Sequence, residues 1–353
     1  MAPLPRSVKP MKAVLGNELP HDDPDDPAWA YELKWDGMRV LAYVDPAADP
    51  PVRLESSNGR DVTASFPELA GLIDAACGRP ALFDGEVVAF AGGRPNFGRL
   101  QQRMHLTKAA EVARRRAEVP VLYEIFDLLH FDGTDTTTLP YTDRRRLLTA
   151  LLEASEETEG SEESGAPEGG GRCWALTSSH DDGQALYDAA EAEGLEGVMA
   201  KRRASPYEAG RRSSNWRKVK VRLEQELVVG GWLTGEGARA NRMGALLVGY
   251  HDAEAPGRPL RYAGRVGTGF TDAELTRLGA LLEGRAADIC PFDPPPPRPV
   301  ARVAHWVVPD LVAQVAFGEW TSDGILRHPS YLGQREDKAA AEVVREVPVR
   351  ADP

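Results

Sequence analysis

Lys34 stands between an apolar leucine and a tryptophan in the stretch YELKWDGMRV, two residues before Asp36-Gly37 and five before Arg39. A free lysine ammonium holds its proton to about pH 10.4. It becomes a nucleophile only where desolvation or nearby positive charge favours the neutral amine. The apolar run before Lys34 and the Asp-Gly behind it place it at a strand end leading into a turn. Taken alone, the pattern also fits a surface lysine. Groups able to serve it then follow in order. FDGEVVAF sets Glu86 on a strand, YEIFDLLH sets Phe126 and Asp127 on another, and EGVMAKR supplies Glu196 followed by apolar residues. NWRKVKVR carries Lys218 and Lys220, two apart and so on one strand face. RHPSYLGQREDK closes the series with Arg335, Asp337 and Lys338. Acids for a divalent cation, a ring for a base and several cations for phosphates together describe a nucleotide site.

These groups need a scaffold. RVLAYVD, ALFDGEVVAF, VLYEIFDLLHF and EGVMAKR read as strands rich in Val, Phe, Tyr and Ile. FPELAGLIDAAC, DRRRLLTALLEA and DGQALYDAAEAEG read as amphipathic helices, the second capped at Thr142-Asp143. The Glu/Ser/Gly tract at 153–171 reads as a low-complexity acidic loop. Near residue 223 the texture changes to short strands of period two with Gly-rich turns, interrupted by one helix, TDAELTRLGALLEG, and a proline run at 294–297. Such a segment suits a small barrel of the OB type. The expected organisation is α+β: a domain over 1–222 with antiparallel sheets, then an OB-fold β-barrel over 223–353.

The chain has 353 residues, enough for two domains with full cores. No apolar run is long enough to span a membrane. The first residues lack the apolar core of a signal peptide. The three cysteines, Cys77, Cys173 and Cys290, fall at neither metal-ligand spacing nor a disulfide pattern. A cytoplasmic, zinc-free protein is expected. As a sum, the net charge of −12 argues against nucleic acid, but its distribution argues otherwise. HDDPDD at 21–26 and the stretch 153–168 hold eleven acids between them. The stretch 201–222 holds nine bases against one acid, Glu208. A concentrated basic strip fits phosphate binding, although a solvated basic face would read the same.

The order KWDGMR, FDGEVV, YEIFDLL, EGVMAK, WRKVK and RHPSYLGQREDK resembles the successive motifs of covalent nucleotidyltransferases, specifically ATP-dependent DNA ligases. The resemblance runs from about residue 8 to residue 347, and the second half looks most like the ligase domain of bacterial non-homologous end-joining ligases. It implies an adenylation domain followed by an OB-fold domain. On matching positions it implies that Lys34 attacks the α-phosphate of ATP and carries AMP, and that Glu32 contacts the adenine edge. Arg39 would contact sugar and nick phosphate, while Glu86 and Glu196 handle ribose and a Mg2+ or Mn2+ ion. Phe126 would stack on adenine with Val198 or Met199 on its other face. Lys218 and Lys220 would grip the α-phosphate, and Arg335, Asp337 and Lys338 would act at the β,γ-phosphates. It further implies a monomer working on nicked or broken double-stranded DNA, nucleoid-associated, beside a Ku end-binding protein and separate polymerase and nuclease proteins.

The chain departs from the family at ESSNGRD, where Ser57 replaces a usual arginine; Arg53 and Arg60 are the candidates to compensate. Two alternatives stand beside the ligase: an RNA ligase or capping-type nucleotidyltransferase, and an inactive DNA-end-binding module. A zinc-bearing NAD-dependent ligase is disfavoured. No GxxxxGK[ST] loop occurs. GRVGTGF at 264–270 is expected to be a hairpin turn, His105 a structural residue, and Trp35 and Trp216 packing residues.

Overall fold

The computed structural model describes residues 3–21, 28–104, 106–161, 172–221, 223–235 and 242–347. Two compact units divide at Val221/Arg222, the second ending at Val347.

The first unit contains β1 (Lys12–Gly16), β2 (Trp29–Lys34), β3 (Met38–Val44), β4 (Val52–Ser56), α1 (Leu72–Ala75), β5 (Ala81–Ala91), β6 (Arg94–Pro95) and α2 (Phe97–Leu100). It continues with α3 (Ala109–Glu118), β7 (Val121–Phe131), β8 (Thr134–Asp135), α4 (Tyr141–Ser161), β9 (Trp174–Leu176), β10 (Ser179–His180), α5 (Gly183–Glu193), β11 (Gly197–Arg202) and β12 (Arg212–Lys220). Five strands form one sheet in the order β1-β12-β11-β2-β10. Seven form another, β4-β3-β5-β7-β8, with β6 on β5 and β9 on β7. Pairing is antiparallel, as expected, except that β1 runs parallel to β12 and β9 parallel to β7. Met11, Leu41, Tyr43, Leu82, Leu129, Tyr207 and Trp216 pack together from both sheets.

The second unit contains β13 (Glu224–Thr234), β14 (Met243–His251), β15 (Leu260–Val266), α6 (Asp272–Glu283), β16 (Ala286–Ala287), α7 (Arg298–Ala301), β17 (Ala304–Ala316), β18 (Glu319–Trp320), β19 (Leu326–Arg327) and β20 (Ser330–Gln334). The main sheet runs β15-β14-β13-β17-β16, with β20 on β17. Its strands and α6 enclose a core of Leu227, Val229, Leu246, Val248, Leu278 and Val315.

Several sequence expectations change. FPELAGLIDAAC forms a 3-10 segment over Pro67–Gly71 and only one α-turn, because Phe66-Pro67 and Gly71 interrupt the periodicity. Thr142 and Asp143 are not caps. They lie inside the first turn of α4, whose first two amides, of Tyr141 and Thr142, donate to the Ser205 and Arg203 carbonyls, while those of Asp143 and Arg144 donate to the Pro140 carbonyl. That helix continues through the start of the acidic tract to Ser161; the rest of the tract, 162–171, lies outside the described residues, as do 22–26 and His105. GRVGTGF is not a hairpin. It leads from β15 into α6, capped by the Thr271 hydroxyl. By contrast, DGQALYDAAEAEG forms α5 as read, with the Asp182 side chain capping its start and Gly194 left-handed at its end.

Candidate active site

Strand register assembles the lysines. In the five-stranded sheet Lys34 pairs with Gly197 and Gly197 with Lys220; one step along the same face, Glu32 pairs with Met199 and Met199 with Lys218. Side chains two apart share a face. Lys34 therefore lies in one plane with both lysines of WRKVK and with Met199. Val198, buried with Leu186 and Ala190, belongs to the other face, which leaves Met199 as the residue beside Glu32.

Two glycines permit this geometry. Gly197 adopts φ +152, and a Cβ there would meet the Val219 carbonyl oxygen at 2.2 Å and Lys220 Cα at 2.8 Å. At Gly37 a Cβ would meet the Val87 carbonyl oxygen at 2.3 Å and Glu86 Cγ at 2.9 Å, so the turn after Lys34 presses directly on β5 beside Glu86.

The surroundings of Lys34 are not purely cationic. Its Nζ contacts Glu196 Oε2, while Lys220 Nζ lies 3.5 Å from Glu196 Oε1. One largely buried carboxylate is thus shared by two lysines of the row. Glu32 is 2% exposed and surrounded by donors. Lys201 Nζ lies 2.6 Å from Oε2, Tyr141 donates to Oε1 at 2.6 Å and Arg145 Nη1 stands 3.6 Å from Oε1. Lys201, Tyr141 and Arg145 escaped the sequence reading. The period-two rule could have found Lys201, two residues beyond Met199 in the quoted EGVMAKR; the other two arrive by tertiary packing.

The seven-stranded sheet supplies the other wall. Arg39 pairs with Glu86, and Glu86 with Glu124, across β3-β5-β7. The Arg39 guanidinium is turned inward: Nε and Nη2 bond to Asp84 at 2.9 and 2.6 Å, and Nη1 donates to the Met11 carbonyl at 2.7 Å. Burial opposes its charge, but Asp84 more than offsets this and holds the guanidinium proton more tightly than usual. The resemblance implies sugar and phosphate contacts for Arg39; in the structure its guanidinium is engaged by Asp84 and the Met11 carbonyl. Glu124, opposite Glu86, is buried and accepts a bond from Thr177 Oγ1 at 3.1 Å. Desolvation pushes its carboxyl up to about 6 despite that bond. Phe126 and Met199, from different sheets, border the same apolar cluster. Trp216 is packed at 1% exposure, and Trp35 donates to Thr177 Oγ1 at 3.1 Å. Asp127 holds Arg144 in a buried bidentate pair, which makes it structural.

Among the described residues no group of three or more His, Cys, Asp or Glu could by itself hold a metal ion. Glu86 and Glu196, with Glu124, offer hard oxygen donors. One or two carboxylates completed by phosphate oxygens fit a Mg2+-like ion, which keeps few protein ligands.

Within the second unit, Arg335 Nε and Nη2 each lie 2.8 Å from Asp337, and Lys338 Nζ is 3.6 Å from Glu226. Burial alone would raise the Asp337 carboxyl; the Arg335 guanidinium, aided by Lys338, holds it below the ordinary range. The 201–222 strip is not one continuous basic surface. Lys201 and Arg217 are buried, Lys218 and Lys220 line the row described above, and Arg222 lies outside the described residues. Arg202, Arg211 and Arg212 are the bases of the strip that are exposed. Arg53, one of the two candidates to compensate for Ser57, is engaged elsewhere. It bonds to Glu55 at 2.8 Å and to the Arg6 carbonyl at 2.5 Å, and its guanidinium lies over Tyr43.

Residues 10–220 match the family model for the ATP dependent DNA ligase domain, and residues 239–338 match that for the ATP dependent DNA ligase C terminal region. Over 319 residues the chain is 40% identical to the multifunctional non-homologous end joining DNA repair protein LigD of Mycobacterium tuberculosis strain H37Rv, covering 90% of this chain and 37% of that protein. It is 35% identical over 322 residues to a DNA ligase of Haloferax volcanii, covering 88% of this chain and 50% of that one. The chain thus spans between about a third and half the length of these relatives. A solved structure of mycobacterial DNA ligase D complexed with ATP and MES superposes with a TM-score of 0.64 at 36% identity, covering 96% of this chain and 98% of that one. Among the described residues no helix is long and apolar enough to cross a membrane. With a lysine row built by strand register and two family models that together take in most of its length, the chain belongs to the ATP-dependent DNA ligases.

Proposed function

We propose that this chain seals breaks in DNA through a lysyl-AMP intermediate formed in the first unit. The observation that carries this reading is the row Lys34–Gly197–Lys220 with Lys218 one step away, which gathers one nucleophile and two phosphate cations on one sheet face.

In the first step Lys34 Nζ forms a bond to the α-phosphorus of ATP as the bond to the bridging oxygen breaks and pyrophosphate leaves. Glu196, in contact with Nζ, is placed to receive the amine proton. Lys218 and Lys220 neutralise charge on the α-phosphate, and in-line positioning supplies most of the rate. Phe126 and Met199 flank the adenine, and Glu32 reads its edge. Glu86 and Glu196 would hold a divalent cation, Mg2+ or Mn2+, which when bound neutralises phosphate charge. Arg335, Asp337 and Lys338 serve the β,γ-phosphates, with Lys338 the most exposed of the three. AMP then passes to a DNA 5′-phosphate, and a 3′-hydroxyl displaces it.

The pathway proposed is double-strand break repair by non-homologous end joining, since the relatives named LigD carry that description. A Ku protein and separate polymerase and nuclease proteins are the partners this reading supplies. A monomer in the cytoplasm, at the nucleoid, is the matching state.

The test is incubation with α-labelled ATP and Mg2+, followed by a denaturing gel, for the parent and Lys34→Ala, then sealing of a nicked duplex. A labelled band restricted to the parent, followed by sealing, supports the proposal. A label that survives in Lys34→Ala refutes the assignment of the nucleophile, and adenylation without sealing favours an RNA ligase.

A further inference from the structure

Lys201 has no part in the reaction scheme above. Lys201 is 1% exposed, yet it is a charged side chain at the centre of the first unit. It sits two residues beyond Met199 on β11, on the face that carries Glu32. Its ammonium touches both walls. From the five-stranded sheet it meets Glu32 Oε2 at 2.6 Å; from the seven-stranded sheet it bonds to the Phe126 carbonyl at 3.2 Å and lies 4.5 Å from the centre of that ring. The rings of Trp216 and Tyr141 complete the enclosure at 4.5 and 5.2 Å. Tyr141 closes the arrangement by donating to Glu32 Oε1 at 2.6 Å.

Two consequences follow from elementary chemistry. The Lys201 ammonium and the Tyr141 hydroxyl engage different oxygens of Glu32, which fixes the orientation of its carboxylate. An ionised carboxylate is an acceptor only, with about four lone-pair positions on two oxygens. The bonds from Lys201 and Tyr141 take two of them. What remains can accept from an exocyclic amino group and repels a carbonyl oxygen. The same ammonium also ties this acceptor to the backbone of the stacking ring, which sets their separation.

We propose that Lys201 and Tyr141 form a clamp that selects the purine, holding the Glu32 carboxylate in a fixed orientation and at a fixed distance from Phe126, so that a 6-amino purine is accepted and a 6-oxo purine rejected. The clamp rests on the reading of Glu32 and Phe126 as the base contacts. Lys201 and Tyr141 are positioning residues; neither touches the reacting phosphorus in this scheme.

The test is the rate of covalent nucleotide attachment with α-labelled ATP and with α-labelled GTP, measured as kcat/KM for each. Lys201→Gln should lower the preference for ATP over GTP by about tenfold or more, with the KM for ATP rising more than the saturating rate falls. Tyr141→Phe, which keeps the ring and removes one bond, should shift the ratio the same way by a few-fold. Both losses at an unchanged ATP/GTP ratio would mean a merely structural role and overturn the inference. If Lys201→Gln does not fold, the ratio in Tyr141→Phe decides alone. Glu32→Gln separates the two layers. If it leaves the ratio intact, the reading of Glu32 as base contact fails; if it collapses the ratio while both clamp variants keep it, only the clamp fails.

Discussion

The guanidinium of Arg39 lies in a bidentate pair with Asp84, a carboxylate of 0% exposure in the middle of β5. The Tyr207 hydroxyl donates to the same carboxylate at 2.7 Å. A motif residue five positions after Lys34 is thereby a fastener between the strand that leaves the turn and the strand that carries Glu86. Loss of activity on replacing Arg39 would then report the fold as much as the chemistry.

Removing one partner leaves the other buried and unpaired. Arg39→Ala should destabilise the first unit by about 3–5 kcal/mol, the range for breaking a buried ion pair. Arg39→Met combined with Asp84→Asn should cost clearly less than the two single changes added. Denaturant unfolding of the four proteins measures the coupling. Strict additivity would mean that the pair contributes nothing and that Arg39 is free for another role.

Glu124 gives a pH signature. Its carboxyl binds a proton more tightly folded, at about 6, than at its ordinary 4.5. Between those values the folded state holds the extra proton, so this group's contribution to stability falls as pH rises from 4.5 to 6 and stays low above that. The difference is about 2 kcal/mol at neutral pH. Glu124→Gln, which keeps an acceptor for Thr177, should raise Tm at pH 7.5 in EDTA and match the parent near pH 4.5. A Tm gap that does not change with pH would show that desolvation of Glu124 is not its source.

What was legible in the sequence divides along physical lines. Lys34, Lys218, Lys220 and Met199 could be placed because strand periodicity assigns faces, and register then aligns β2, β11 and β12. The helix over 183–193 was readable because both its caps are local. Arg39, Asp127 and Arg335 were harder: their motifs mark position, but whether a cation points at ligand or at a buried carboxylate depends on residues such as Asp84 and Arg144, distant in sequence. The basic strip misled for the same reason. A run of charges in one dimension is divided between core and surface once it becomes a strand: Arg217 is buried, Lys218 half-buried and Arg212 exposed. The helix α3 and the role of Gly264–Phe270 as a strand-to-helix link were decided by packing: a Cβ at Gly269 would meet the Tyr331 carbonyl oxygen at 2.1 Å.

Ser57 offers a gain-of-function test. Its amide donates to the Arg39 carbonyl at 3.2 Å, so position 57 is attached to the strand that follows Lys34. Arg53 is committed to Glu55 and the Arg6 carbonyl. Ser57→Arg would add a phosphate-binding cation that Arg53 does not supply. Single-turnover adenylation or nick sealing should become several-fold faster, an effect that shrinks with added salt. No rate change at low salt would mean that the missing arginine has no phosphate to meet here.

Gly197 tests the register itself. It is the residue through which Lys34 and Lys220 are aligned, and the residue before it, Glu196, is the carboxylate they share. Alanine at φ +152 is strained, and its Cβ would overlap the Val219 carbonyl oxygen, which is backbone and cannot rotate aside. Relief requires β11 to move off β12. Gly197→Ala should therefore cost more than about 1 kcal/mol of stability, the floor for alanine at a glycine-only conformation. It should slow lysyl-AMP formation by 100-fold or more, since small misplacements of reacting groups carry penalties of that size. The informative comparison is Gly93→Ala, also at positive φ but with nothing within 4 Å of its Cβ. That variant should pay only the conformational cost and keep its adenylation rate. If both variants adenylate at the parental rate, the alignment of Lys34, Gly197 and Lys220 is not what positions the nucleophile.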